Sequence, residues 1–395
     1  MTAMPITGLG AVCAAGDSVE SSMPAIIRGE DGLTPLRLFD SGLKQVPLCG
    51  QVEDSETCRR FTKHTNRTTA FGVMAAEQAL KSFADRSGLR LGLVLATTVA
   101  GMRRSERFLN AYRKDPQRIF QAGVDLSEHE PTVVSGTIAR HFKAEGFHTI
   151  STACSTGLHA IGMAKRLLEQ NHYDLCLAVG TDALSLLTVR GFASLMLIDF
   201  DGCKPFDKKR VGISLGEGAG AVLMARPEVV KTYRIPVHAY VSGWGASADC
   251  YHMTAPHPQG NGARKAVMRA LEESKLSPDD IDFIAAHGTA TPDNDSAEIQ
   301  AMKTLFASLP PFCSLKRTLG HTLAASGILE AVFAIQAMEH GIVPPTAGFM
   351  HTDDNIGAEP SPGEKKDINN LLKNSFGFGG NNAAVIFSRR ASNQE

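Results

Sequence analysis

Two rhythms of apolar residues take turns along the chain. Short β-rich runs, "LGLVLATT" (91–98), "LCLAVGTDAL" (175–184) and "DFIAAHGT" (282–289), are apolar almost throughout, as strands covered on both faces must be. Between them lie stretches with helical spacing, such as "TTAFGVMAAEQALKSFA" (68–84) and "ARKAVMRALEESK" (263–275). This alternation predicts a layered α/β architecture with helices on both faces of each sheet. Two stretches depart from it. Residues 102–131, "MRRSERFLNAYRKDPQRIFQAGVDLSEHEP", are polar and charged and predict a cap-like excursion over the surface; 351–367, rich in Asp, Glu, Pro and Gly, predict an exposed loop.

The pattern also repeats. "ISLGEGAGAVLMARP" (213–227) and "FGFGGNNAAVIFSRR" (376–390) are each a Gly-rich turn, a β-rich run and a basic end. "PITGLGAVCAAG" (5–16) and "VHAYVSGWGASADC" (237–250) each run a strand into a Gly-x-Gly turn. Two related halves, 1–230 and 231–395, are expected to meet in the Pro-flanked stretch near 228–236. Side by side, Cys154 precedes the helical "LHAIGMAKRLLEQ" and His321 precedes "SGILEAVFAIQAME", so the two are expected at matching helix N-termini. The competing account is chance recurrence of Gly-rich turns in a chain with 37 glycines.

Composition narrows the function classes. The 40 basic residues nearly balance 41 acidic ones, which leaves no bulk signal for nucleic acid or a membrane surface, and a charged partner must use a local patch. Eight cysteines carry no C-x-x-C pair, and most are expected to be small buried residues in a reducing compartment. The N-terminus is apolar and ends in small residues, but no Lys or Arg precedes Arg28, which argues against a signal peptide. The apolar run "LRLGLVLATTVAGM" contains Arg90 and falls short of a spanning helix. A cytoplasmic location is the expectation.

The candidate chemistry centres on "ISTACSTGLHAIG" (150–162). A helix N-terminus offers unpaired N–H groups and the positive end of the dipole, which favour thiolate at Cys154. The small neighbours Ala153, Ser155, Thr156 and Gly157 let a carbonyl approach and leave backbone N–H groups for an oxyanion. On this stretch alone a structural cysteine in a strand-to-helix turn explains the pattern as well. His287 ends "IDFIAA" and enters "HGTATPDND", the strand end where α/β sheets bind ligands; His321 sits in "SLKRTLGHTLAASG". Lone histidines are more often packed or surface residues, but here two stand beside Gly and Thr at element boundaries. Lys316, Glu298 and the phenylalanines of "NSFGFGGNNAAV" read equally well as surface charges and core anchors.

Taken together, "STACSTG", "HGTATPDND", "LKRTLGHTLAASG" and "NSFGFGGNNA" make the chain resemble, over nearly its whole length, an elongating β-ketoacyl-ACP synthase, the condensing enzyme of fatty-acid and polyketide assembly. The resemblance implies a thiolase-like fold, two pseudo-repeated halves forming a layered αβαβα structure. It implies decarboxylative condensation of an acyl chain on Cys154 with malonyl-ACP, His287 and His321 assisting decarboxylation. It further implies that Lys316 pairs with Glu298, and that Phe378, beside Phe376, is a gate whose N–H joins that of Cys154 in an oxyanion hole. Implied partners are acyl carrier protein and a second copy, or a related chain-length-type subunit, with no cofactor and no metal. Family members of primary metabolism usually carry an aromatic residue where Ile213 stands in "KRVGISLGEGAG", and this wording resembles the aryl polyene branch.

Other readings fit less well. "GISLG" matches G-x-S-x-G at Ser214, but a charged loop precedes it and a strand follows, the reverse of a nucleophile elbow. "GLGAVCAAG" has Cys13 where a dinucleotide fingerprint needs its third glycine. A thiolase needs a second reactive cysteine, which "GFGGNN" lacks. A non-catalytic scaffold subunit predicts no covalent acyl adduct. For an acidic carrier, two basic clusters are expected to dock it: Arg59, Arg60, Lys63 and Arg67, and Lys204, Lys208, Lys209 and Arg210. Each is equally a solvated charged surface.

Overall fold

The computed structural model describes residues 2–391 apart from 63–64, 84–86, 116 and 118–125. Its main sheet contains β1 (Met4–Val12), β2 (Leu91–Ala96), β3 (Gly146–Ile150), β4 (Leu175–Asp182), β5 (Gly218–Ala225), β6 (Ala239–Ala248), β7 (Phe283–Ala285), β8 (Phe312–Cys313), β9 (Asn370–Gly377) and β10 (Asn381–Ser388). From edge to edge the order is β8-β7-β9-β10-β6-β1-β5-β4-β2-β3. Counting outward from the centre, both halves place their own strands first, fifth, fourth, second, third. Directions repeat too: the three outer strands of each half are parallel, and the two pairings nearer the centre are antiparallel. The halves join where β1 pairs antiparallel with β6, Met4 opposite Val241.

Seven helices position the site: α1 (Arg67–Leu80), α2 (Met102–Lys114), α3 (Thr156–Glu169), α4 (Leu186–Ser194), α5 (Asn261–Ser274), α6 (Pro292–Leu305) and α7 (Ser326–His340). α1 covers the outer face of the first half, and α5 with α6 that of the second. α3 and α7 lie between the halves, touching strands of both and each other, which makes five layers, αβαβα. β4 and β5 are buried at every position, which explains their lack of polar alternation.

The Gly-x-Gly turns exist for packing. A Cβ at Gly10 would sit 1.9 Å from the Ala75 carbonyl oxygen of α1, and one at Gly245 would sit 1.9 Å from the Ala266 oxygen of α5. The same close helix-on-strand contact therefore recurs in each half, and no nucleotide is needed to account for the glycines. At the centre, a Cβ on Gly157 would lie 2.7 Å from Ile328 N, and one on Gly327 would lie 2.9 Å from Leu158 N, so α3 and α7 meet backbone to backbone. The residues preceding these helices also match: Ala153 and Leu323 are both left-handed, with φ of 53° and 52°. In this register the counterpart of Cys154, three residues before the glycine, is Ala324, and His321 lies one turn earlier.

The excursion begins with α2, none of whose residues is buried, and returns through Ser127–His129. No helix among the described residues is long and apolar enough to cross a membrane. All eight cysteines are free, and only Cys250 is exposed.

Candidate active site

Cys154 follows β3 in a turn knitted by its own polar residues. Thr152 N–H donates to the Thr156 hydroxyl at 2.8 Å, and the Ser155 hydroxyl to Thr152 O at 2.8 Å. These bonds, with Ala153 left-handed, aim the thiol off the start of α3 into the molecule, where Cys154 is only 6% exposed. The backbone N–H groups of Phe378 and of Cys154 itself point at the sulfur. Burial nonetheless pushes the thiol up to about 11, with Lys316 and the two N–H groups pulling it back only in part. The thiolate expected from the helix end is thus overridden, because desolvation outweighs the dipole.

His321 is placed by strand-like bonds to the segment that carries Ser214. Its N–H donates to Ser214 O at 2.7 Å, and its carbonyl accepts from Gly216 N–H at 2.9 Å. The Ser214 hydroxyl accepts from Cys203 N–H at 2.9 Å, so this serine braces a loop. Leu323 N–H donates to His321 Nδ1 at 3.3 Å, which assigns the proton to Nε2. Nε2 lies 3.1 Å from Cys154 Sγ. Burial, then Lys316, hold His321 down at about 3, so its ring is a neutral donor.

His287, just past β7, meets the His321 ring edge-on with centroids 5.5 Å apart, and Phe376 at 5.9 Å. Burial, then Lys316 and His321, hold it well below the usual histidine range. Its Nδ1 is buried without a hydrogen-bond partner among the described residues. One ligating atom from each of Cys154, His287 and His321 lies within 4.8 Å of the others. Such a donor set accepts either a soft cation or a small anionic oxygen; the positive charge of Lys316, which acts on all three, favours the oxygen.

The charges beneath this cluster correct one expectation. Lys316 does not pair with Glu298. Its Nζ donates to Glu330 Oε1 at 2.5 Å and to His287 O at 3.0 Å. Glu330 Oε2 accepts from Lys373 Nζ at 2.6 Å, and Lys373 also donates to Ala286 O and Asn374 O. Burial pushes the Glu330 carboxyl up, but the two ammonium groups outweigh it and hold it at about 2. Glu298, on the outer helix α6, instead accepts the N–H groups of His287 and Gly288 at 2.8 Å each, with Asn374 Nδ2 at 3.1 Å. It fixes the His287 backbone, while the central helix α7 carries the carboxylate that reaches Lys316. Glu330 and Lys373 were legible signals that sequence reading passed over: one acid in the apolar helix "GILEAVFAIQAM" and one lysine inside the strand "NLLKNSF".

Phe376 is buried against His287, whereas Phe378, at a turn with Gly379 and Gly380 both at positive φ, packs at a tilt against Phe192 of α4 with centroids 5.5 Å apart. Those two rings, with Ile213 and Leu197, wall a cavity of only about 90 Å³ over the sulfur. Sites that enclose a drug-sized ligand run to roughly 300 Å³ or more, so this one is shut to a long chain.

The basic clusters also need correction. Arg67 turns inward onto Glu217 at 2.6 Å, its side chain 12% exposed, and Arg210 is buried on Asp353 at 2.5 Å. Lys204 pairs with Asp199 at 2.9 Å. Arg59, Arg60, Lys208 and Lys209 remain exposed, and Lys63 lies outside the described residues. Arginines flanked by apolar elements are drawn to buried carboxylates, which a linear charge count cannot register.

Residues 2–229 match the family description "Beta-ketoacyl synthase, N-terminal domain", and 238–350 match "Beta-ketoacyl synthase, C-terminal domain". The chain is 32% identical to a 3-oxoacyl-[acyl-carrier-protein] synthase 2 of Coxiella burnetii, covering 97% of this chain and 98% of that one. The ishigamide ketosynthase/chain length factor superimposes with a TM-score of 0.91 at 28% identity, over 98% and 99% of the two chains. A type II polyketide ketosynthase solved with its acyl carrier protein and bound to a hexaketide gives 0.85 at 26% identity, again over 98% and 99%.

Proposed function

The chain belongs to the β-ketoacyl synthase family, and from that premise we propose that it joins an acyl group to malonyl-ACP, making 3-oxoacyl-ACP in fatty-acid-type elongation. One observation carries the assignment of roles: a thiol, two neutral imidazoles and two backbone N–H groups converge on one small buried space beside a lysine.

In this reading the Cys154 sulfur attacks the acyl thioester. The tetrahedral oxyanion lies on the N–H groups of Cys154 and Phe378, each worth about 3 kcal/mol, and collapses to expel the carrier sulfur, which takes up the proton given up by the Cys154 thiol and leaves as the carrier thiol. Malonyl-ACP then enters. Loss of CO2 leaves its electron pair on the α-carbon, delocalised onto the thioester oxygen. Two neutral N–H donors, one from His287 and one from His321, stabilise that enolate without a permanent buried cation on either ring. The carbanion attacks the Cys154 thioester, and collapse of the second oxyanion releases the sulfur and the 3-oxoacyl product. Residues 1–230 supply the nucleophile and 231–395 the histidines, so chemistry occurs where the halves meet. The deciding experiment follows 3-oxoacyl-ACP and CO2 formed in equal amounts from acyl-ACP and malonyl-ACP; product without CO2, or CO2 without product, rejects the reading.

A specialised polyene or polyketide pathway is the second reading, favoured by Ile213 in the cavity wall and by the likeness to a ketosynthase/chain length factor. Either way a second chain is expected. β3 ends the sheet as the uncharged, proline-free "GFHTI", with Phe147 43% exposed, an edge suited to pairing with a copy or a related subunit.

Carrier docking is assigned to the four exposed residues Arg59, Arg60, Lys208 and Lys209. Reversing Lys208 and Lys209 to Glu is expected to lower kcat/KM with acyl-ACP roughly tenfold at low salt and less at high salt. Turnover of a small carrier-free thioester should stay level. Equal loss with both substrates places docking elsewhere.

A further inference from the structure

Asp182, the last residue of β4, is completely buried, and among the described residues no Lys, Arg or His forms an ion pair with its carboxyl. Such a carboxylate is tolerated only where donors fill its lone pairs. They do so unequally. Oδ1 accepts the Thr97 hydroxyl at 2.7 Å and the N–H groups of Thr98 and Val99 at 3.0 Å each. Oδ2 accepts Ala324 N–H at 2.9 Å, with Thr98 N–H sharing it at 3.2 Å.

Ala324 stands in the turn that follows His321. Its neighbour Leu323, left-handed at φ 52°, donates the N–H that reaches His321 Nδ1. A left-handed leucine persists only when its surroundings over-determine it. The bond from Ala324 to Asp182 fixes the peptide directly after it. We propose that Asp182 is a positioning residue: by holding Ala324 N–H it keeps Leu323 N–H on His321 Nδ1, and thereby keeps the His321 Nε2 proton aimed at the reacting atoms beside Cys154. It touches none of those atoms itself.

The asymmetry of the two oxygens makes the inference testable. In Asp182→Asn, three donors hold the amide oxygen in the Oδ1 place, so the NH2 group faces Ala324 N–H and that bond is lost, while Thr98 N–H, which also reached Oδ2, keeps its bond to the oxygen in the Oδ1 place. In Thr97→Val the Oδ1 shell weakens and Ala100 N–H loses the hydroxyl it donates to at 3.1 Å, while the Ala324 bond stays. Malonyl-thioester decarboxylation by Asp182→Asn is expected to fall roughly 10- to 100-fold in kcat with little change in KM, as for a catalytic group misplaced by about 1 Å. Thr97→Val should stay within about threefold of the parent. Alkylation of Cys154, in a Cys250→Ser background, supplies a readout that plain loosening would not move in this direction. Among the described residues, the charged or titratable groups around the sulfur include Lys316, His321, His287 and Asp182, and Asp182 opposes the thiolate. Removing its charge should therefore make Cys154 alkylate faster at neutral pH while decarboxylation drops.

If Asp182→Asn does not accumulate folded, Asp182→Ala reads the same ratio of the two rates. Decarboxylation close to the parent's, a parallel fall in both rates, or an equal loss in Thr97→Val would each overturn the inference. It rests on Cys154 and His321 acting as proposed above. Failure of that premise appears separately, as acyl loading that survives Cys154→Ala in the otherwise unaltered enzyme.

Discussion

Cys154→Ala is expected to load no acyl group from acyl-ACP and to lose condensation by roughly 10⁴-fold or more. Six of the remaining cysteines are buried and none of them lines the cavity that holds Cys154, which keeps them from acting as competing nucleophiles. Cys250 is exposed and must be replaced by Ser before small thiol reagents are used. The structure adds a pH signature. With the Cys154 thiol at about 11 in the closed site, the thiolate fraction and hence the alkylation rate should climb nearly tenfold per unit across about pH 6 to 9. A plateau near pH 7 would mean that the sulfur is already ionised and that the N–H groups and Lys316 outweigh burial. Intact-protein mass spectrometry gives the loading; a stoichiometric adduct on Cys154→Ala ends the assignment.

The second large effect separates the half-reactions. His287→Ala and His321→Ala should each lower malonyl decarboxylation by roughly 10²- to 10⁴-fold, while acyl loading stays within about tenfold. The physical reason is that the proposed mechanism uses both rings as donors to the enolate oxygen, whereas the contact with the sulfur, at 3.1 Å, is made by His321 Nε2. Equal loss of both steps would reassign the pair to positioning Cys154. The same burial has a stability consequence. His321 titrates near 3 in the folded protein and near its ordinary 6.5 when unfolded, so the unfolded chain takes the proton first as pH falls. Stability contributed by the neutral ring is therefore complete above about 6.5 and drains away toward pH 3. Replacing His321 by Ala should flatten the acid side of a denaturation profile, whereas the parent should lose stability steadily there.

Much of this arrangement follows from the chain read as a string. Apolar runs bounded by glycine determine strands, and 3.6-residue spacing determines helices, because both depend on neighbours a few residues away. Hence the two halves, the helix behind Cys154 and the boundary positions of His287 and His321 were all legible. Even the matching glycines at 157 and 327 stand in the open, although only packing reveals that they let two helices touch.

What tertiary structure alone decided is partner choice and desolvation. Lys316 has two acids at comparable sequence distance, Glu298 and Glu330, and only the layering puts the second one beneath it. Arg67 and Arg210 look like surface charge until Glu217 and Asp353 arrive from more than a hundred residues away. Cys154 sits at a helix end that by itself promises a thiolate, yet the rings of Phe192 and Phe378 close above it and the cost of burying charge prevails. Asp182 gives no local sign of its role, since its connection to His321 exists only because β4 ends against a turn from the other half. Electrostatic energy depends on distance and dielectric, and both are properties of the packed molecule.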